Sequence, residues 1–134
     1  MPKLIFSILC EKPIIDAKTN QLSLVGTVEQ ITVPTIPVVA PILLHVVTLW
    51  EKTVSGEERF KHRISILPAA PGQDPFVEEF ESVIPVEKKR LRTCNGFGGI
   101  PINAEDIMSF IIELFENESW IEKHRIDVWI TIKT

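Results

Sequence analysis

Apolar residues recur at every second position in three separate stretches of this chain, and that spacing constrains the fold more than any other feature. Leu22, Leu24, Gly26 and Val28 form one series. Phe60, His62, Ile64 and Ile66 form a second, and Ile126, Val128, Ile130 and Ile132 a third. Successive side chains of an extended strand point to opposite faces, so a period of two buries one face and wets the other. The pattern predicts a small all-β protein built from antiparallel sheet.

The bulk properties set the scale. At 134 residues the chain fits one domain, read as spanning 1–134. A chain of this size buries roughly two-thirds of the surface that its unfolded form exposes, which is core enough without metals or disulfides. Hydrophobic residues make up 45% and charged residues 24%, a globular balance that argues against disorder. The net charge is −4, which argues against a nucleic-acid partner, since such binding draws on phosphate neutralisation. Cys10 and Cys94 are too few for a disulfide scaffold, and buried free thiols in a reducing cytoplasm are the simpler reading. They would pair only if their strands faced each other. Neither a cleavable leader nor a run long enough to cross a bilayer is evident, so no membrane partner is expected.

Along the chain, strands are expected at Lys3 to Glu11 and Gln21 to Val33, joined by a turn-rich stretch from Lys12 to Asn20 as a first hairpin. Gly26 marks a bulge or close packing point. Pro34, Pro37 and Pro41 make the next segment an edge or a crossing between sheets, because proline donates nothing to a ladder. Ile42 to Lys52 and Glu58 to Leu67 follow, with Ser55-Gly56 between them suggesting a second hairpin. After the loop PAAPGQDP, Phe76 to Ile84 is expected as an edge strand, then Lys88 to Phe97 as another extended segment. Ile107 to Phe115 reads either as a short buried helix capped by Asn103 or as a strand turning at Glu116 to Ser119 into a final strand, Trp120 to Thr134.

Several of these segments together resemble a bacterial family of unknown function with a β-sandwich fold. They are the opening strand ending in Cys10-Glu11, Leu22-Ser23-Leu24-Val25-Gly26, Ile31-Thr32-Val33-Pro34, the apolar strand ending at Trp50, the charged turn after it and Phe60 to Ile66. The resemblance implies an immunoglobulin-like or C2-like β-sandwich ending in a hairpin, and the chain is predicted to form a single antiparallel β-sandwich of about seven to eight strands. It therefore implies a strand at Ile107 to Phe115. The chain departs from the family at Asp106-Ile107-Met108, where a Gly-x-Tyr-like entry is usual and this sequence has no tyrosine. The resemblance brings no activity with it.

No catalytic set stands out. His45, His62 and His124 lack a second ligand at metal spacing, so no metal or cofactor is expected. Asp16 and Asp74 form no D-x-D pair of the kind a calcium loop uses. Cys94 has Arg90 and Arg92 nearby to lower its pKa, but no positioned base. Asn95-Gly96-Phe97-Gly98-Gly99 lacks the third glycine of a dinucleotide loop and the lysine of a P-loop, so it reads as a turn or bulge.

Two binding hypotheses remain. The first is a non-enzymatic interaction or assembly module, self-associating or holding a protein partner. Trp129 falls on the more polar face of the last strand with Arg125 and Asp127, where an aromatic side chain would anchor a partner. The second is a small anionic-ligand binder, or weak enzyme, using Arg90, Arg92, Asn95 and Gly96 of the Arg90–Gly99 segment.

Overall fold

A computed structural model describes residues 1–70 and 72–133. Among the described residues all regular structure is β, in eleven strands: β1 (Lys3–Ile15), β2 (Leu22–Thr27), β3 (Gln30–Val33), β4 (Val38–Val39), β5 (Leu44–Glu51), β6 (Glu58–Leu67), β7 (Phe76–Ile84), β8 (Arg90–Phe97), β9 (Pro101–Ile102), β10 (Ile107–Glu116) and β11 (Ser119–Ile132). A four-stranded sheet runs β2-β1-β5-β8 and a five-stranded sheet β3-β11-β10-β6-β7, with β4 and β9 pairing separately. No helix is long and apolar enough to cross a membrane.

One apolar cluster joins the two large sheets. Leu9, Leu44, Val46, Trp50 and Phe97 enter it from the four-stranded sheet. Phe60, Ile64, Ile66, Phe110, Ile112, Leu114, Val128 and Ile130 enter from the five-stranded one. The period-two series of β6 and β11 thus face inward, as the alternation requires.

The expected count of seven to eight strands is too low, because one long segment divides and two connections each add a two-residue strand, β4 and β9. Gln21 to Val33 breaks at Val28 and Glu29 into β2, in the four-stranded sheet, and β3, in the five-stranded sheet. The break lets β3 lie parallel to the end of β11, the one parallel pairing among the described residues. The proline-punctuated segment yields the two-residue β4, which pairs with β9.

The expected hairpin from Ile42 to Leu67 is also corrected. β5 pairs with β1 and β8, whereas β6 pairs with β10 and β7. The Ser55-Gly56 turn is therefore an arch that carries the chain from one sheet to the other. Both strands are apolar enough to seek central positions, and each buries against neighbours distant in sequence.

The first hairpin is present but longer than expected. β1 continues through Pro13 to Ile15, pairing only with β2 beyond Cys10. Pro13 lies where β1 has a neighbour on one side only, an edge at which proline is tolerated. Gly26 sits at φ +68°, and a Cβ there would meet the Glu11 side chain, so the position favours glycine. The hairpin bends until Asn20 at its tip meets Arg92 of β8. Its return covers part of the outer face of the four-stranded sheet: Val47 and Cys10, outside the intersheet cluster, have no exposed surface, while Cys94 beside Val47 is exposed.

Ile107 to Phe115 is a strand. It pairs with β6 on one side and β11 on the other, filling the middle of the five-stranded sheet.

Candidate functional site

The six residues singled out from the sequence fall on two different sheets. Arg90, Arg92, Asn95 and Gly96 lie on β8, the free edge of the four-stranded sheet. Arg125 and Trp129 lie on β11, in the five-stranded sheet.

On β8 the pleat separates the group further. Arg90, Arg92 and Gly96 point away from the core, whereas Asn95 lies beside Val46 on the inner face. Arg90 is held by Glu51, its cross-strand partner, at 3.1 Å. The Arg92 guanidinium donates to the Asn20 side-chain oxygen at 2.8 Å and to its carbonyl at 3.3 Å. Both cations are thus engaged, and they do not converge with Asn95. The Asn95 Nδ2 is buried with no hydrogen-bond partner among the described residues.

The two thiols differ in exposure, Cys10 being buried and Cys94 exposed. Partial desolvation still pushes the Cys94 thiol above its ordinary value, outweighing the pull of Arg92 in the other direction. Burial likewise raises Cys10, with Cys94 adding to it. A thiol held protonated is a poor nucleophile. β5 lies between the two strands that carry them, and both cysteines are free.

The histidines do not assemble. His62 is 1% exposed, packed against Trp50, Phe60 and Phe80, and bonded to Ser82 at 2.8 Å. Burial lowers its pKa to about 4, so the ring is neutral. His45 bonds the Glu11 carbonyl at 2.9 Å, and His124 bonds Ser7 across the two sheets. Among the described residues, no three His, Cys, Asp or Glu side chains cluster as a metal would require.

On β11, Trp129 is 55% exposed, opposite Ile107 of β10 and Gln30 of β3. Arg125 lies four residues earlier on the same face and pairs with Glu122 at 3.0 Å, which raises its pKa. Between them Asp127 accepts a hydrogen bond from Ser109 at 2.6 Å. Further along this face Arg63 grips Glu113 with two bonds, at 2.9 and 3.1 Å, while Ser65 donates to the same carboxylate at 2.8 Å. Burial pushes the Glu113 carboxyl up, but these bonds and the Arg63 charge outweigh it and leave it lowered. The Arg63 guanidinium also lies 4.4 Å over the Trp120 ring, which contacts Phe115 across the final hairpin. Every polar group named on this face has a partner, so Trp129 stands out as an exposed aromatic on an ordered surface.

A cleft of about 440 Å³ opens where the two sheets part, between the start of β7 and the end of β8. Ile66, Phe97, Ile100 and Met108 line it as buried residues, and Phe76 stands at its rim 56% exposed. Gly96, Gly98 and Gly99 form one wall. Of the sequence-singled residues only Gly96 reaches it. The rest of the lining comes from segments far apart in the chain, which no local motif joins; the glycine run was its one visible signal.

A family of unknown function, DUF6941, matches residues 5–128. The chain belongs to DUF6941. The match runs from β1 through most of β11, so both large sheets and the cleft lie inside it. No curated protein matches the chain. The DUF6941 assignment carries a fold-length likeness and leaves the activity unknown.

Proposed function

We propose that this DUF6941 chain is a non-enzymatic interaction module that self-associates through the outer face of its five-stranded sheet. The observation that carries this reading is Trp129, more than half exposed on a face where Arg125, Asp127, Arg63 and Glu113 are all hydrogen-bonded or ion-paired. A rigid aromatic with an arginine nearby is the composition of an interface anchor. The same face carries Arg125 beside Glu122 and Asp127, so two copies related by a twofold axis can set opposite charges against each other. The proposed setting is the bacterial cytoplasm, which suits two free cysteines.

An immunoglobulin-like arrangement belongs to the same proposal. In that fold strands A, B and E share one sheet, and C, F and G share the other, with C′ extending it. The orders β1-β5-β8 and β11-β10-β6-β7 correspond to A-B-E and G-F-C-C′. The anionic-ligand alternative has less behind it, since Arg90 and Arg92 already hold Glu51 and Asn20.

Light scattering across a hundredfold range of protein concentration tests the reading. The expected result is a dimer that Trp129→Ala converts to monomer with its circular dichroism unchanged. A wild-type protein that stays monomeric at the highest concentration rejects it, as does a Trp129→Ala variant that still dimerises.

A further inference from the structure

We propose that the cleft between β7 and β8 receives an extended segment of a partner protein, apolar with a flanking lysine or arginine, which adds as a strand along the free edge of β8. β7 and β8 end their respective sheets, so each presents backbone N–H and C=O groups on one side. Phe76 and Phe97 meet edge-on at 6.2 Å, which sets the two edges on the same flank of the sandwich. The edges are guarded differently. β7 carries Glu78, placed opposite Ile64 on the inner face, with Glu79 and Glu81 beyond it. Inward-pointing and clustered charges are the usual protection of an edge against pairing. The β8 side ends in Gly96, Gly98 and Gly99, which bring no charge and no side chain of their own; Leu43 and His45 pack over Gly96 and Leu43 over Gly98, and the space over Gly99 is open.

The cleft then supplies selectivity. Its buried floor accepts an apolar side chain, and Phe76 at the rim supplies an exposed aromatic anchor. Among the described residues that line it, Asp74 and Glu78 carry the only charges, both negative and neither in an ion pair. The complementary occupant is therefore cationic. Backbone pairing for affinity, with a pocket for alternate side chains, is the logic of strand addition. This inference does not rest on the Trp129 face, which lies on another surface of the five-stranded sheet.

The test uses the full-length protein and two libraries of fluorescein-tagged, end-capped heptapeptides. Both alternate valine, leucine or phenylalanine with a charged residue: lysine or arginine in one library, glutamate in the other. Anisotropy titrations should give saturable binding to basic members and at least tenfold weaker binding to acidic ones. The double variant Asp74→Asn/Glu78→Gln should weaken the basic peptides by about tenfold, a loss that added salt reproduces in the wild type. Amide shifts on binding should fall on Gly96–Gly99 and Phe76, and Trp129→Ala should leave affinity unchanged. Failure of both libraries to bind overturns the proposal, as does equal affinity for the two. N-methylated basic peptides that bind as well as the parents also overturn it, because backbone pairing would then play no part. Phe76→Ala, at an exposed position, checks the anchor without threatening the fold.

Discussion

Single residues of this protein are governed by which face of a strand they occupy, and His62 shows the consequence most sharply. Its neighbours in sequence are Lys61 and Arg63, which place it in a basic surface run, yet the pleat turns both away and sends the imidazole between Trp50, Phe60 and Phe80. Desolvation lowers its pKa from 6.5 to about 4. The unfolded chain therefore binds a proton between pH 6.5 and 4 that the folded chain refuses. Stability is lost as pH falls through that window, by about 3 kcal/mol once it is crossed. Urea unfolding at pH 7, 6 and 5 measures this loss. The double variant His62→Phe/Ser82→Ala should flatten the slope above pH 5, where the lowered carboxylates Glu58 and Glu113 do not yet titrate. An unchanged slope would show that some other group carries it. His62 was legible as an inward position from the alternation of Phe60, Ile64 and Ile66 around it. What the sequence withheld was which aromatics surround it, because Trp50 and Phe80 come from other strands.

At the scale of the element, local turn chemistry was readable and the choice of sheet was not. The final hairpin turns on Asn117 and Glu118, at φ +52° and +61°, between the paired residues Glu116 and Ser119. Two left-handed residues in a two-residue loop make the turn whose twist suits flanking strands, and glycine is favoured at its second position. Glu118 pays the steric cost of a Cβ there. Glu118→Gly should therefore stabilise the protein by about 1 kcal/mol, raising the melting midpoint by about 3–5 °C. Asn117→Val should lower it by a similar amount, since a β-branched residue tolerates that conformation poorly. Calorimetry of the two variants measures both, and a midpoint that falls for Glu118→Gly would refute the turn assignment. The arch at Ser55-Gly56 makes the contrasting case. A short polar turn between two apolar strands looks the same whether the strands pair or part. Only the competition for central positions, which β5 and β6 each win in a different sheet, separates the outcomes. The nine-residue apolar run from Ile107 was equally undecided by periodicity, since a strand buried on both faces loses its alternation.

For the whole molecule the decisive question is how two sheets become one cooperative unit. Trp50 is the strongest link: it rises from the middle of the four-stranded sheet, is fully buried, and meets Phe60 and His62 of the other sheet at 5.3 and 5.5 Å. Its indole N–H is satisfied by Thr48 at 2.9 Å, so it brings no unpaired donor into the core. Other cross-sheet ties are the edge-on contact of Phe97 with Phe110 at 6.5 Å and the bond between Ser7 and His124. Trp50→Ala opens a cavity against the facing sheet and should cost about 3–5 kcal/mol. A domain of this kind holds about 5–15 kcal/mol in total, so the variant is left close to its unfolding threshold. Because the missing side chain belongs to both sheets, the loss should reach both. Hydrogen exchange should accelerate together in β5 of one sheet and in β6 and β10 of the other, which carry the opposing wall of the same cluster. Acceleration confined to the four-stranded sheet would mean that the sheets unfold separately. The inward residues would then stabilise each sheet by itself, and the sandwich would be two adjoining layers without a shared core.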